Sequence, residues 1–468
     1  MKQSKNGFRI AFVSGKLGDV DGVSLEVNKW ISVLQAMGHE VYTIAGRYAT
    51  PLASIPPDRQ LLFERIRFGS PEQHTYETHF FPHLQKFPPH HSWERRKEVL
   101  ENLEAEGNEV ANQLFDRIQR HSIDVIIAEN TNAMPMTLLG GMGIYKLAAD
   151  QRMATIFHHH DFWWERSRFS RNHIEELLGR IMPPDVPGIE HTVLSSYAAH
   201  ILTSIKRVHP LVIPNCEDFD NAVGLDEYNG SFRDDLGFTE SDILIVQPTR
   251  IVRRKRIEDS VELVGRLLSR YPELRDRVHF VVSLYQGDEP DEDYVGQIER
   301  LARDRGVALH LISDRVSAER ATGEGGRKLY TNRDVLANAD IVTYLPIWEG
   351  FGNALLEAVA ARVPLVTTAY LVYKTDIMLA GFNNVEIRDD YDDDGRLIIP
   401  DRAVDEVYRL VTNKELCRTV AERNFRVGKR EFGFRTLKSC LELLMEDYGD
   451  EIRASRRRVE KSKLSYSV

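Results

Sequence analysis

The stretch that decides the fold is Trp348-Glu349-Gly350-Phe351-Gly352-Asn353-Ala354-Leu355-Leu356-Glu357-Ala358. Just upstream, Ala339-Asp340-Ile341-Val342-Thr343-Tyr344-Leu345 is a short apolar, β-branched run that reads as a buried strand. The order is therefore strand, glycine turn, helix. Such a turn aims unpaired backbone N–H groups and the positive end of the helix at whatever sits above it, and an anionic phosphate is the natural occupant. Glu349 falls in the turn and Glu357 within the helix, roughly 10 Å apart at about 1.5 Å rise per residue. The carboxylate pair of a retaining glycosidase stands only about 5–5.5 Å apart. The two glutamates therefore read as clamps along one elongated ligand, holding hydroxyls such as those of a sugar and a ribose. An ordinary strand–loop–helix unit with surface glutamates has the same local pattern.

Outward from this unit the chain repeats the same alternation. Towards the N-terminus, strands are predicted at Phe8–Ser14, Glu40–Ala45, Asp124–Ala128, Thr155–His158 and Thr192–Ser195, with helices at about Ser24–Met37 and Ser92–His121 between them. A second series starts near Pro210, with strands at Ile243–Gln247, Val278–Ser283, Ala308–Ile312, Ile341–Tyr344, Leu365–Thr367 and Val385–Ile387. Strands alternating with helices predict parallel sheets covered on both faces, here two doubly wound α/β domains. No internal repeat or low-complexity block is visible, and the basic tail Ile452–Lys463 reads as frayed.

Composition bounds the possibilities. The chain has 468 residues with 42% hydrophobic content, enough for two or three domains. A net charge of −10 and a pI near 5.9 argue against a nucleic-acid partner. Cys216, Cys417 and Cys440 are widely scattered, with neither metal-ligand spacing nor a disulfide framework, which fits a reducing compartment. After Met1-Lys2-Gln3-Ser4-Lys5 the apolar run Phe8–Val13 is too short for a signal peptide or a membrane span, so a cytoplasmic location is expected.

In open α/β sheets ligands bind beyond the carboxyl ends of the strands, and two more loops belong there. Gly15-Lys16-Leu17-Gly18-Asp19-Val20-Asp21-Gly22-Val23-Ser24 follows the first strand and has neither P-loop nor dinucleotide-fold spacing. A flexible turn and a ligand loop are both open readings of it. Pro248-Thr249-Arg250-Ile251-Val252-Arg253-Arg254-Lys255-Arg256 carries five basic groups where a leaving diphosphate would sit, although a solvated basic turn has the same composition. In Phe157-His158-His159-His160-Asp161-Phe162-Trp163-Trp164-Glu165-Arg166, His158 and His160 share a strand face. That permits a metal site, but no third ligand with convincing spacing is apparent, and a structural histidine cluster is the plainer alternative. Phe162, Trp163, Trp164 and Phe169 read as packing groups; if exposed, they would stack on a sugar or touch a membrane surface.

Gly22-Val23-Ser24, His160-Asp161, Ile213-Pro214-Asn215, Arg250 with Lys255, and Glu349 to Glu357 occur in the order found in family-4 retaining glycosyltransferases, and the chain resembles that family along nearly its whole length. The resemblance implies the GT-B architecture: two Rossmann-like domains facing across a cleft. Here these would be residues 1–212, the acceptor domain, and 213–432, which binds the nucleotide-sugar, with a C-terminal helix in 433–468 (roughly Phe434–Tyr448) returning to the first. It further implies that Arg250 and Lys255 neutralise the donor diphosphate and that Glu349 holds donor-sugar hydroxyls. Glu357 would hold the ribose. The backbone of Gly350, Phe351, Gly352, Asn353, Ala354 and Leu355 would line sugar and phosphates, Gly22 would approach the phosphates, and His160 would sit near the donor sugar. Cys216 and Arg256 depart from the pattern, each standing where the family often has glycine.

The implied activity is transfer of a hexose from a nucleotide-diphosphate sugar, such as UDP-glucose or GDP-mannose, to a sugar or sugar-derived hydroxyl. It proceeds by a front-face retaining reaction in which a donor phosphate oxygen takes the acceptor proton. Preorganised cations would stabilise the leaving diphosphate, so no metal and no further cofactor are expected. Asp19-Val20-Asp21 matches the D-x-D spacing of metal-dependent sugar transferases but lies in the N-terminal loop. No transmembrane segment is expected, and peripheral membrane contact stays open. A GT-B phosphorylase and a catalytically degenerate nucleotide-sugar-binding protein are the alternatives.

Overall fold

The computed structural model describes residues 7–19, 21–84, 87–222, 224–284 and 292–465; Met1 to Lys5 and Val20 of the glycine loop lie outside them. The chain forms two compact units, Met1–Pro214 with Leu437–Val468, and Asn215–Thr436.

The first unit is built on a parallel sheet of seven strands: β1 (Arg9–Ser14), β2 (Glu40–Ala45), β3 (Gln60–Leu62), β4 (Val125–Glu129), β5 (Thr155–His159), β6 (Ile189–Val193) and β7 (Leu211–Val212), in the order β3-β2-β1-β4-β5-β6-β7. Every residue of β4 and β5 is buried, as expected of strands covered on both faces. The helix Trp93–His121 buries Val99, Leu103, Gly107, Val110, Ala111, Leu114 and Ile118 on one stripe. Gly107 and Gly143 let it pack closely on the helix Leu138–Ala149, since a Cβ at these positions would meet Met142 and Val110.

The structure departs from the sequence pattern in several details here. The strand expected at Thr192–Ser195 runs from Ile189 to Val193, because Ser195 instead caps the next helix, accepting the Ala198 N–H at 3.1 Å. The edge strands β3 and β7 are too short to show a period, with three and two residues. The tail expected to fray is a helix, Gly449–Ser465. Its buried Ile452, Ser455 and Val459 lie at helical spacing beneath the basic residues. The Ser455 hydroxyl accepts the Ala154 N–H at 2.9 Å, and the Tyr448 hydroxyl accepts that of Thr155 at 2.9 Å while donating to the Gly188 carbonyl at 2.6 Å.

The second unit holds a parallel sheet of β8 (Ile243–Gln247), β9 (Val278–Val282), β10 (Ala308–Leu311), β13 (Ile341–Tyr344), β14 (Leu365–Thr368) and β15 (Val385–Ile387), in the order β10-β9-β8-β13-β14-β15. A separate two-stranded piece, β11 (Ala321–Thr322) and β12 (Lys328–Leu329), lies between β10 and β13 in the chain. The strand order reverses between β1 and β4 in the first sheet and between β8 and β13 in the second. At such a switch point the loops leave in opposite directions and open a crevice at the carboxyl ends of the strands. Among the described residues no helix is long and apolar enough to cross a membrane.

Candidate active site

In the second unit the switch point brings the basic loop after β8 against the glutamate loop after β13. The Ile347 N–H donates to the Arg254 carbonyl at 3.1 Å, and the Gln247 side chain donates to the Lys255 carbonyl at 3.0 Å. Arg253–Lys255 forms a 3₁₀ turn that closes on Arg256 in the left-handed region, φ 51° and ψ 51°. That conformation is why glycine is common here. Arg256 tolerates it with its guanidinium anchored on Asp259 (2.6 Å) and the Gly395 carbonyl (2.8 Å).

These constraints aim Arg254 and Lys255 at one carboxylate. Arg254 Nη1 lies 2.7 Å from Glu349 Oε1, and Lys255 Nζ pairs with the same oxygen. The lysine also sits over the Tyr344 ring, 5.1 Å from its centroid. Burial pushes the Lys255 ammonium down to about 8, and the Glu349 charge offsets only part of that penalty. Arg250 stands half-buried in the same loop.

The helix Asn353–Ala360 starts on Gly352, whose φ of 138° strains any residue with a Cβ. Tyr370 donates its hydroxyl to the Phe351 carbonyl at 2.5 Å and fixes the turn. Asn215, from the Pro-Asn segment, donates to the Asn353 side chain at 2.6 Å, so two segments far apart in the chain meet at the first turn of this helix. Glu357 is half-buried and accepts from the Asn332 amide at 3.2 Å. Leu355 and Phe351 are buried, so they offer backbone rather than side chain.

In the first unit Gly22 opens the helix Gly22–Ala36, and Asp21 caps it by accepting the Val23 and Ser24 N–H groups, both at 3.0 Å. Lys16 bridges Asp19 (2.9 Å) and Asp21 (3.3 Å), which closes the glycine loop on itself. At the end of β5, His160 meets two residues that spacing alone did not reveal. Glu129, the last residue of β4, accepts from His158 Nδ1 at 2.8 Å and from His160 Nε2 at 3.1 Å. Asn130, with φ 52°, accepts the His160 backbone N–H at 3.1 Å and donates to Asp161 at 3.2 Å. Trp30 stacks on His158 with centroids 4.2 Å apart.

Burial would raise the Glu129 carboxyl, yet the two imidazoles outweigh it and hold it at about 2. Burial likewise works against the charged form of His160, and the Glu129 hydrogen bond overcomes this, so its pKa is raised. Glu129, His158 and His160 present donor atoms within 4.8 Å of one another, which supplies the third group missing from the sequence pattern. Both observed contacts are of hydrogen-bond length. Phe162, Trp163 and Phe169 are buried packing groups. The only sequence signal for Glu129 and Asn130 was their place just after the strand predicted at Asp124–Ala128, which in the structure runs one residue further, to Glu129.

No protein-family model matches the chain. A mannosylglucosylglycerate synthase from Thermotoga maritima is 31% identical over 448 residues, covering 92% of this chain and 98% of that one. A second mannosylglucosylglycerate synthase, from Petrotoga mobilis, is 29% identical over 448 residues, covering 90% and 98%. Among solved structures, Anabaena HepE in complex with UDP-glucose superposes with a TM-score of 0.61 at 12% identity, covering 94% of this chain and 99% of that one, a likeness of fold. Two parallel-sheet units and these relatives define a glycosyltransferase of the GT-B class. The chain belongs to the family-4-like glycosyltransferases that include the mannosylglucosylglycerate synthases.

Proposed function

We propose that the chain transfers a mannosyl group from a nucleoside-diphosphate mannose, GDP-mannose being the first choice, to glucosylglycerate, with retention at the anomeric carbon. The near-complete coverage of the Thermotoga maritima relative, 98% of its length, carries the choice of product class. The joining of Arg254, Lys255 and Glu349 at a sheet switch point supports a diphosphate site. In this scheme Arg250 and Lys255 hold the charge that develops on the leaving diphosphate, and the backbone from Gly350 to Leu355 lines the donor. Glu349 holds hydroxyls of the transferred sugar, Glu357 holds the ribose, Gly22 approaches the phosphates, and His160 contacts the donor sugar. The cations are fixed before the reaction, so they stabilise the departing group without rearrangement, and no metal is required. The acceptor proton passes to a donor phosphate oxygen in a front-face reaction.

The test is a panel of GDP-mannose and UDP-glucose, each with and without glucosylglycerate, read by nucleoside diphosphate release and by NMR of the product anomer. An α-mannosyl product made only in the presence of acceptor is expected. Release from UDP-glucose alone would replace the donor, and donor binding without turnover would support a degenerate binding protein. Sugar 1-phosphate made from a disaccharide plus phosphate would identify a phosphorylase.

A further inference from the structure

The first unit holds an anion that the transfer scheme does not use. Glu129 is fully buried at the end of β4, beside the strand that carries His158 and leads into His160, and is in register with His158. A carboxylate inside a protein carries a desolvation cost and is weak evidence for a contribution to stability. Here each of its oxygens engages a different imidazole, 2.8 Å from His158 Nδ1 and 3.1 Å from His160 Nε2. An ionised carboxylate only accepts, so both rings must donate. That settles which nitrogen of each ring carries its proton: Nδ1 in His158 and Nε2 in His160. The other nitrogens differ in surroundings. His158 Nε2 is buried with no partner among the described residues, whereas His160 Nδ1 makes no hydrogen bond among them and is not enclosed.

We propose that Glu129 is a positioning residue for His160: it takes the Nε2–H of the ring and leaves Nδ1 of the neutral ring as the hydrogen-bond acceptor offered to the ligand. The proposal rests on the assignment of His160 to the donor sugar. The neighbouring residue completes the hold. Asn130 lies in the left-handed region, φ 52°, and from there its carbonyl oxygen takes the His160 backbone N–H while its amide grips Asp161. Strained backbone of this kind persists where surrounding structure over-determines it. Glu129 thus sets the ring and Asn130 sets the main chain of one residue. A neutral ring held this way presents a lone pair to a sugar hydroxyl, and a neutral ring in the other tautomer would present a proton.

The experiment is ¹⁵N NMR of the His160 ring in the full chain at alkaline pH, where the ring is neutral, followed by steady-state kinetics of His160→Ala, Glu129→Gln and Glu129→Asp. The expected wild-type spectrum has Nε2 protonated and Nδ1 bare. Glu129→Gln can still accept from one ring but not both, so the spectrum of His160 should lose its single tautomer. Its kcat should fall by about a hundredfold, the scale of a reacting geometry disturbed by a fraction of a bond length, with donor KM changed far less. Glu129→Asp should restore part of kcat. A wild-type spectrum with the proton on Nδ1 overturns the proposal without recourse to any variant, so a Glu129 variant that fails to fold does not protect it. A stoichiometric metal bound by the wild type and lost in Glu129→Gln also overturns it, since the ring nitrogens facing Glu129 would then be ligands. If His160→Ala transfers sugar normally, the assignment of His160 fails; if His160→Ala is impaired while Glu129→Gln keeps both tautomer and kcat, only the role of Glu129 fails.

Discussion

Glu349→Gln is the sharpest perturbation of the second unit, because it removes the charge that keeps Lys255 protonated while preserving the shape of the side chain. Lys255 already sits at about 8 with Glu349 beside it. At pH 7 roughly nine-tenths of it is charged. An opposite charge at this range supports the charged form by about 1–3 pH units, or ~1.4–4 kcal/mol. Without it, burial and the nearby charges of Arg254 and Arg250 all act in one direction, against the ammonium. The lysine would then titrate between about 5 and 7 and be largely neutral in the working range.

The sign follows from which form binds the donor. Diphosphate binding needs the ammonium, so kcat/KM for the donor is high below the Lys255 pKa and falls as pH rises through it. In the wild type that alkaline limb is expected near pH 8; in Glu349→Gln it moves to lower pH by the amount above. kcat/KM reports the free enzyme, and the diphosphate of a nucleotide sugar does not titrate in this range. Lys255→Arg is the control, since guanidinium stays charged and the limb should vanish. The assay is donor kcat/KM between about pH 5.5 and 9, with direct donor binding by calorimetry should Glu349→Gln turn over too slowly. A limb that stays near pH 8 in Glu349→Gln, or persists in Lys255→Arg, refutes the role given to this pair.

Activity should survive EDTA, because fixed cations take the place of a metal at the diphosphate; complete loss on chelation with recovery on manganese would redirect attention to Asp19 and Asp21. In a Lys255→Arg background, where the cation stays charged whatever stands at 349, Glu349→Ala should act mainly on kcat, whereas Glu357→Ala should mainly raise donor KM, because a ribose contact is alike in ground and transition states; nucleoside diphosphate inhibition constants that weaken more in Glu349→Ala than in Glu357→Ala in that background would reverse the assignment. Gly352→Ala should lower both melting temperature and donor affinity: a φ of 138° costs a residue with a Cβ about 1–3 kcal/mol, and that Cβ would lie 2.4 Å from the Tyr370 hydroxyl. An unchanged melting temperature would show that the turn relaxes without cost.

The parts of this molecule legible in the sequence are those whose physics is local. β8 and β13 are mostly apolar, fully buried runs, β15 alternates buried Val385 and Ile387 about the exposed Glu386, and all three run from the first residue to the last as the pattern predicts. The glycine turn before Asn353 announces itself because only a residue without a Cβ accepts that φ. The sites are different, because each is completed by a carboxylate brought in from another strand. Glu349 meets Arg254 across 95 positions of chain, and Glu129 meets His160 across 31. Nothing in linear spacing connects such pairs; the strand order does, by placing β13 beside β8 and β4 beside β5. Arg254 stood in the basic run with four other cations, and composition could not rank it above Arg253, which is exposed. Glu129 stood just past the strand predicted at Asp124–Ala128, like any surface acid, and only its burial between two histidines marks it out. Both units therefore use one device, a carboxylate accepting from two basic side chains at the carboxyl ends of neighbouring parallel strands. In each, the role proposed for the acid is to hold a base in the orientation and protonation that the ligand needs. Lys255, His160 and Glu349 are what a family resemblance reveals, whereas Arg254 and Glu129 become visible only when the sheets are assembled.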